Sequence, residues 1–334
     1  MESRHRCGVP PQTSIPPQLR GRPFRLAEAL EAGLASSVLR GRRFRRLRRG
    51  IYAEAVVADA LETQVDAALL VLPGDAVLSH HTAAQLRGLP VPSSRQVHVT
   101  LPPAVERSRA GGVRSHEGTP RLVRHDGRAL SAPAENFLEL AETLCLVDLV
   151  VLGDAMVRRG LVTCDELRKA VATTGRRRGV RTARRAAQLV RAGVDSPMET
   201  RVRLLVMLVG LPEPEPNVVI RDEVGEWVGV VDLAYPDLKI AIEYHGDVHR
   251  TKRAKWRSDV TKAELLRALG WTVIILTADD IESRPERTLL RVRSALVEAG
   301  HPKVPAAVDP AWRAHLLPRW ARDRQDWARA DQAS

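Results

Sequence analysis

Apolar residues near the start of the chain recur every four positions, which predicts a helix that ends at Gly33. The residues with this spacing are Leu26, Leu30 and Leu34. A second short helix is predicted at 38–40, and a β-hairpin at 44–53 with Gly50 in its turn. Because two helices and a basic hairpin are the parts of a winged helix-turn-helix, we predict that fold for residues 23–55.

Residues 56–175 alternate between helical and strand-like patterns, which predicts a mixed α/β region. Helices are predicted at 61–72, 82–89, 133–144, 146–159 and 165–172, and strands at 97–101 and 122–125. The segment from Gly175 to Gly179 has three arginines between two glycines and no apolar side chain. We therefore predict a solvated linker there. With the basic helix that follows, it forms residues 176–195.

The pattern after the linker predicts a third region at residues 196–300, with the element order α-β-β-β-α-β-α. Its helices are predicted at 196–210, 253–269 and 286–299, and its strands at 218–220, 227–234, 239–244 and 272–276. The tail, residues 301–334, is rich in tryptophan and proline and is predicted to form short helices that dock on another surface. Residues 1–22 are rich in proline and are predicted to be a disordered arm.

The amino-acid composition predicts a cytoplasmic protein of two or three domains that binds a polyanion. The 334 residues are 44% apolar, enough for two or three domains with real cores, and no apolar run is long enough to span a membrane. Only three cysteines are present, which is typical of a reducing cytoplasm. The net charge of +12 lies in residues 1–195, whereas residues 196–300 are nearly neutral. A basic first half favours polyanion binding, and DNA is the partner that we expect.

Two acidic residues lie on neighbouring predicted strands of the third region. With Pro236 and Asp237 at the centre of the turn, Asp232 pairs with Ala241 and lies diagonal to Glu243 on the same face. Diagonal neighbours are about 7–8 Å apart. Two carboxylates at that separation can bind one small cation with oxygen contacts of about 2.0–2.1 Å, which is the geometry of Mg²⁺.

This region resembles the PD-(D/E)XK nuclease superfamily, and most closely its very short patch repair endonuclease-like branch. The similar segments are SPMETRVRLLVMLVGLPEPEPN, GVVDLAYPDLKIAIEYHGDVH and SDVTKAELLRALGWTVIILTADDI. The resemblance implies a restriction-endonuclease-like α-β-β-β-α-β domain and a magnesium-dependent DNA endonuclease. Asp232 and Glu243 would be the metal ligands and Glu199 an auxiliary acid. His249 would lie at the catalytic edge, and His245 would hold the position of the superfamily lysine.

Each of these residues also has a simpler interpretation. Ser196 and Glu199 have the spacing of a helix capping box, so Glu199 can cap the helix, bind metal or do both. Asp232 can be an exposed hairpin residue, and His249 a loop residue. His245 can accept a proton in place of the lysine, or it can mark an altered or lost activity. No trio of cysteines matches the structural zinc of the repair enzymes, so a role in mismatch repair is not expected.

The front of the chain resembles the N-terminal region of AbiEi-type antitoxins and related transcriptional regulators. The similar segments are LAEALEAGLASSVLRGRRFRRLRRGIYA and LSHHTAAQLRGLPVP. In the predicted wing, arginines interleave with Phe44 and Leu47, so one face can pack while the other stays cationic. The arginines that we predict to contact nucleic-acid phosphates are Arg42, Arg43, Arg45, Arg46, Arg48 and Arg49.

Two other groups of residues are predicted to be structural. His80 and His81 are adjacent on a helix and point to different sides, so capping and packing are favoured over a shared metal ion. Asp259 and Lys262 are three apart, and are predicted to form a solvated ion pair at the edge of a basic rim. That rim consists of Arg253, Lys255 and Arg257.

Two functions therefore stand as hypotheses. The first is a cytoplasmic, magnesium-dependent DNA endonuclease. The second is a non-catalytic DNA-binding regulator or antitoxin-like protein with a degenerate nuclease fold. Association as a homodimer, or with a toxin–antitoxin partner, is left open by the sequence.

Overall fold

A computed structural model describes residues 14–103, 111–245, 262–308 and 310–315 of the chain. The described residues form two compact units: those of 14–87 with 92–131, and those of 88–91 with 132–315. The fold class is mixed α/β, as the sequence predicts. No helix in these ranges is long and apolar enough to cross a bilayer.

The first unit begins with a small antiparallel sheet in the order β1-β3-β2. Its strands are β1 (Phe24–Arg25), β2 (Phe44–Arg48) and β3 (Ile51–Glu54), and a short helix, α1 (Leu26–Glu31), follows β1. The predicted hairpin is present, but the second predicted helix is a single 3-10 turn at Val38–Arg40. Residues 14–22, predicted to be disordered, contain a 3-10 turn and bury Ile15 and Leu19 against Phe24. Here the apolar contacts outweigh the preference of a proline-rich segment for extended, solvated chain.

The rest of the first unit is a five-stranded sheet in the order β6-β5-β4-β8-β7. Its strands are β4 (Val77–Leu78), β5 (Val97–Leu101), β6 (Val113–Glu117), β7 (Leu122–His125) and β8 (Arg128–Ser131). Two helices, α2 (Leu61–Leu69) and α3 (His80–Leu86), precede and follow β4. Strands β5 and β6 are parallel, and their apolar residues pack with Val65 of α2 and Leu78 of β4 in one core. This arrangement brings the start of α3 beside the middle of β5, where the His98 main-chain nitrogen donates to Thr82 Oγ1 at 2.8 Å.

The second unit opens with a layer of four helices. They are α4 (Pro133–Leu140), α5 (Leu146–Arg158), α6 (Cys164–Thr173) and α7 (Val180–Leu189). Helix α6 starts with a capping box, in which Thr163 and Glu166 satisfy each other's main-chain N–H groups. Helix α5 is apolar on nearly all sides because it is buried on nearly all sides.

The segment at 175–179 is part of this layer, whereas the sequence predicts a linker there. Arg177 Nη1 lies 2.9 Å from Glu135 Oε1 of α4, and Arg178 Nη1 lies 3.1 Å from Glu142 Oε1. Gly179 has a left-handed φ of 76°, and a Cβ at this position would overlap the carbonyl oxygen of Ala141. The boundary between the two compact units falls instead after Ser131.

A four-stranded sheet forms the rest of the second unit, in the order β12-β11-β10-β9. Its strands are β9 (Glu215–Arg221), β10 (Trp227–Tyr235), β11 (Ile240–Tyr244) and β12 (Thr272–Leu276). Its helices are α8 (Pro197–Leu208), α9 (described over 262–268), α10 (Ala278–Glu282) and α11 (Pro285–Glu298). Strand β12 pairs with β11 in parallel, and the other pairs are antiparallel. The element order agrees with the predicted one, apart from α10, which the sequence pattern does not indicate.

The two faces of this sheet have separate cores. On one face, Leu233 and Ile242 pack with residues of α8 and α11. On the other, Ala234 and Ala241 pack with Leu266 of α9. Trp312, from the described part of the tail, is buried in the first of these cores, so this part of the tail docks on the unit itself. The second face, under α9, is the one that carries the candidate site.

A buried ionic network connects α5 to α8. The guanidinium of Arg203 is fully buried; its Nη2 donates to Asp154 Oδ2 at 3.0 Å, and its Nη1 to Glu213 Oε1 at 2.8 Å. Asp154 also accepts a hydrogen bond from Thr200 Oγ1 at 2.8 Å, and one from the Arg191 main-chain nitrogen at 2.8 Å. Every charge in this network has a hydrogen-bonded partner, as burial requires.

Candidate functional site

The hairpin of β10 and β11 has a different register from the one that the sequence predicts. Ala234, rather than Asp232, pairs with Ala241, because a 3-10 turn and the left-handed Lys239 lengthen the connection. The observed ladder ends at the Leu233–Ile242 pair. Asp232 precedes this pair on β10 and Glu243 follows it on β11, and the alternation of side chains puts both on the face that α9 covers.

Asp232 lies at the point where the ladder between the two strands stops. Its Oδ2 accepts a hydrogen bond from the Tyr244 main-chain N–H at 2.7 Å. In a continued antiparallel ladder, a carbonyl oxygen of β10 would take this N–H. The carboxylate therefore replaces a main-chain acceptor, which fixes it between the ends of the two strands.

Glu243 forms an ion pair with Lys262 of α9. Its Oε1 lies 2.5 Å from Lys262 Nζ, and the glutamate side chain is only 9% exposed. Lys262 Nζ also donates to the Val230 carbonyl oxygen of β10 at 2.6 Å. A Cβ on Gly229 would lie 3.2 Å from Lys262 Cδ, so the glycine leaves room for the lysine to cross the strand. The sequence predicts a solvated pair of Lys262 with Asp259, and Asp259 lies outside the described residues. In the structure, Lys262 pairs with Glu243.

A small recess lies beside this ion pair. Its polar lining is Glu243, His245 and Lys262, and its apolar lining is Ala263, Leu266, Val273 and Ile275. His245 is held at the end of β11 by its main-chain N–H, which donates to the Leu276 carbonyl oxygen at 2.7 Å. The recess thus combines an acid, an ammonium group and an imidazole at one end of the sheet. His249 and the predicted basic rim at 253–257 lie outside the described residues.

Glu199 takes part in the cap of α8, but it forms only half of the predicted capping box, because its carboxylate accepts from the N–H of Asp195 rather than from that of Ser196. Its main-chain N–H donates to Ser196 Oγ at 3.2 Å, and its Oε2 accepts from the Asp195 N–H at 2.9 Å. Burial raises the pKa of Glu199, hydrogen bonds from the Asp195 main chain and the Ser196 side chain to its carboxylate lower it, and the charge of Asp232 raises it again. Asp232 therefore acts electrostatically on Glu199. Among the described residues, the carboxylates of Glu199, Asp232 and Glu243 do not form a group whose oxygens all lie within 4.8 Å of one another.

The arginines of the β2–β3 hairpin do not all face solvent. Five are exposed: Arg42, Arg43, Arg45, Arg46 and Arg49. Arg48 is buried, its Nη1 donates to Gln64 Oε1 at 3.3 Å, and burial lowers its pKa. Its predicted contact with phosphate is therefore wrong in this structure. The other five form the exposed basic face of the hairpin, on which Arg45 pairs with Asp59 at 2.5 Å.

A cluster of histidines lies in the first unit, and the sequence analysis missed it. Ligand atoms of His80, His98 and His116 all lie within 4.8 Å of one another. Burial, together with the nearby charges of His81, His116 and Arg114, lowers the pKa of His98 to about 3. The prediction that His80 only caps and packs is incomplete. The signal was a histidine on each of three elements, but β6, which carries His116, was not predicted.

Comparison with known proteins gives relatives without assigned functions. No family model matches the chain, and no solved structure matches it. Uncharacterized protein Rv2248 of Mycobacterium tuberculosis strain H37Rv is 32% identical over 227 residues, which cover 68% of this chain and 83% of that protein. Uncharacterized protein MT2308 of strain CDC 1551 matches to the same extent. The chain is an α/β protein with a carboxylate–lysine site at the end of a mixed sheet. It belongs to the family of these two mycobacterial proteins.

Proposed function

We propose that the chain is a metal-dependent nuclease that hydrolyses phosphodiester bonds of DNA, with its active site where β10 and β11 separate. The observation that carries the proposal is the Asp232 carboxylate fixed on the Tyr244 main-chain N–H, next along β11 to Glu243, which pairs with Lys262. The element order from α8 to β12 and the parallel pairing of β11 with β12 support the resemblance to the PD-(D/E)XK superfamily.

The donor atoms at this site fit Mg²⁺. Magnesium is a hard cation that is commonly held by one or two carboxylates and several waters, so Asp232 and Glu243 are a sufficient protein contribution. The Lys262 ammonium on Glu243 indicates that this carboxylate is charged and attracts a cation at that position. When bound, the ion would polarise the scissile phosphate and supply a nucleophilic hydroxide.

Lys262 places an ammonium group in the recess beside His245. By resemblance, His245 holds the position of the superfamily lysine, but the recess already contains a lysine that arrives from α9. We assign to Lys262 the stabilisation of negative charge on the phosphate, and to His245 the acceptance of a proton. This division of roles makes the substitution at position 245 compatible with catalysis.

The proposal is tested by incubating the purified full-length chain with supercoiled plasmid in MgCl₂ or in EDTA. We expect nicked or linear DNA in magnesium and intact plasmid in EDTA. A chain that binds the plasmid in a gel shift but leaves it intact in magnesium would contradict the nuclease. That result would support the second candidate, a non-catalytic DNA-binding regulator, which the exposed basic face of the β2–β3 hairpin favours.

Lys262→Gln is expected to lower kcat on plasmid DNA by about 10²-fold while KM changes little, because the ammonium acts mainly on charge that develops in the transition state. Lys303→Gln, at an exposed lysine of the same unit, is the matched control and is expected to cleave like the wild type. Initial rates over a range of DNA concentrations separate the two constants. A variant that binds magnesium more tightly and cleaves faster would mean that Lys262 only competes with the metal.

A further inference from the structure

Three histidines from three elements of the first unit meet at one place. His80 is the first residue of α3, His98 lies on β5 and His116 on β6. His98 Nδ1 is 3.1 Å from His116 Nε2, and the rings of His80 and His116 stack with centroids 3.6 Å apart and 13° between their planes. Three imidazoles are thus held with a ligand atom of each within 4.8 Å of the others.

Serine hydroxyls contact one nitrogen of each of two of these rings. Ser94 Oγ lies 3.1 Å from His98 Nε2, and Ser79 Oγ lies 3.0 Å from His80 Nδ1. A metal-binding histidine usually makes a hydrogen bond through its second nitrogen, which fixes the ring and its tautomer. With Nε2 of His98 turned to Ser94, its Nδ1 faces His116. The two serines are therefore placed as supporting partners of a metal site.

The main chain is also held in an unusual state here. His80 has a φ of 49°, in the left-handed region that non-glycine residues seldom adopt. Its side chain is buried together with that of His98. Strained residues of this kind occur where the surrounding structure imposes them, often at functional sites. The left-handed conformation lies at the residue of α3 that belongs to the cluster.

We propose that His80, His98 and His116 bind one late first-row divalent metal ion, Zn²⁺ foremost, with water as the fourth ligand. Zinc–nitrogen bonds of about 2.0–2.1 Å place tetrahedral ligand atoms about 3.3 Å apart. Metal binding therefore requires the stacked rings of His80 and His116 to turn, so that their nitrogens point to one centre. Imidazole ligands select zinc, nickel or copper over magnesium. This site therefore differs in chemistry from the carboxylate site of the second unit, and it does not depend on the proposed nuclease activity.

Two features of the surroundings bear on the charge of a bound ion. Arg114 is exposed on β6, so solvent screens the repulsion between its guanidinium and a cation at the histidines. His81 lies near His98, with ring centroids 5.1 Å apart, but it is not a member of the ligand group. A bound metal would connect α3, β5 and β6, and would stabilise the first unit against unfolding.

The test is a titration of the metal-stripped, full-length protein with CoCl₂ and with ZnCl₂. We expect one equivalent of cobalt to produce the intense visible bands of a four-coordinate ion, and zinc to abolish them. His116→Asn is expected to weaken binding by at least about 100-fold, since removing a ligand costs more than removing a supporting partner. His125→Asn, at an exposed histidine of β7, is the matched control and is expected to bind like the wild type.

Two results would overturn the proposal. One is a wild-type protein that shows only the weak spectrum of hydrated cobalt and no saturable zinc binding; the histidines would then be a hydrogen-bonded, metal-free cluster. The other is His116→Asn protein that binds cobalt with wild-type affinity and spectrum. Circular dichroism checks that the variant folds. Should it fail to fold, the wild-type cobalt spectrum and its zinc competition decide the question alone.

Discussion

Asp232→Asn is expected to lower the rate of magnesium-dependent plasmid cleavage by at least about 10²–10³-fold, the loss typical of a group that acts on transition-state charge. The asparagine oxygen can still accept the hydrogen bond from the Tyr244 N–H, so the ends of β10 and β11 stay in place. What is lost is the negative charge that holds the metal. Initial cleavage rates at saturating DNA, measured over a series of MgCl₂ concentrations, report this loss.

The matched control is Asp237→Asn, in the exposed turn of the same hairpin. It removes the same charge from the same unit and is expected to cleave at the wild-type rate. Equal cleavage by Asp232→Asn and the wild type, from preparations purified in parallel, would exclude Asp232 as a metal ligand. Equal losses in the two variants would point to a general effect of charge on DNA binding rather than to the site.

Arg203→Met is expected to lower the free energy of unfolding of the second unit by about 3–5 kcal/mol, the usual cost of removing one partner of a buried ion pair. The methionine fills part of the space, but Asp154 is left as a buried charge without its main cation. Urea unfolding followed by circular dichroism measures the change. The chain has two units, which can unfold in separate transitions. We expect the urea concentration at the midpoint to fall for the unfolding of the second unit.

The control for this change is Arg201→Met, two residues before Arg203 on α8. Arg201 pairs with Asp148 at 2.5 Å, but its side chain is 33% exposed, so about 1 kcal/mol or less is expected. Replacing both Arg203 and Asp154 with apolar residues is expected to recover part of the lost stability. Similar losses for Arg203→Met and Arg201→Met would contradict the assigned importance of burial.

Much of the fold follows from short-range patterns in the sequence. Strands β5, β7 and β12 begin and end at the predicted residues, because each is a short run with clear boundaries. The sequence pattern does not indicate strands β4 and β6, and the reason differs between the two. Strand β4 has two residues, and β6, with the sequence VRSHE, is too polar to read as a strand. Both form because they pair with β5, and such long-range pairing leaves no local signal.

The domain boundary shows a second limit of local patterns. The composition of 175–179 is that of a solvated linker, yet Arg177 pairs with Glu135, which is 42 residues away in sequence. The partner is distant in sequence, so no short window can reveal it. An arginine-rich segment beside helices that contain glutamates can be packed rather than free.

The sequence predicts two acidic residues of the candidate site, Asp232 and Glu243, but not the lysine that pairs with Glu243. Alternation along the hairpin places Asp232 and Glu243 on one face, but the predicted register was wrong, because Lys239 adopts a left-handed conformation. Glu199 does not form a close group with these two acids among the described residues. The pairing of Lys262 with Glu243 depends on how α9 crosses the sheet. The histidine cluster likewise depends on the parallel pairing of β5 and β6. Both are tertiary arrangements that spacing in the sequence does not encode.

The most direct test of the central claim is a crystal structure of the chain in MnCl₂, with an anomalous difference map. We predict one manganese peak within about 2.0–2.3 Å of carboxylate oxygens of both Asp232 and Glu243, the range of hard-cation contacts, with Lys262 Nζ moved away from Glu243. A map without a peak at saturating manganese, in which Glu243 still pairs with Lys262, would contradict the proposed metal site.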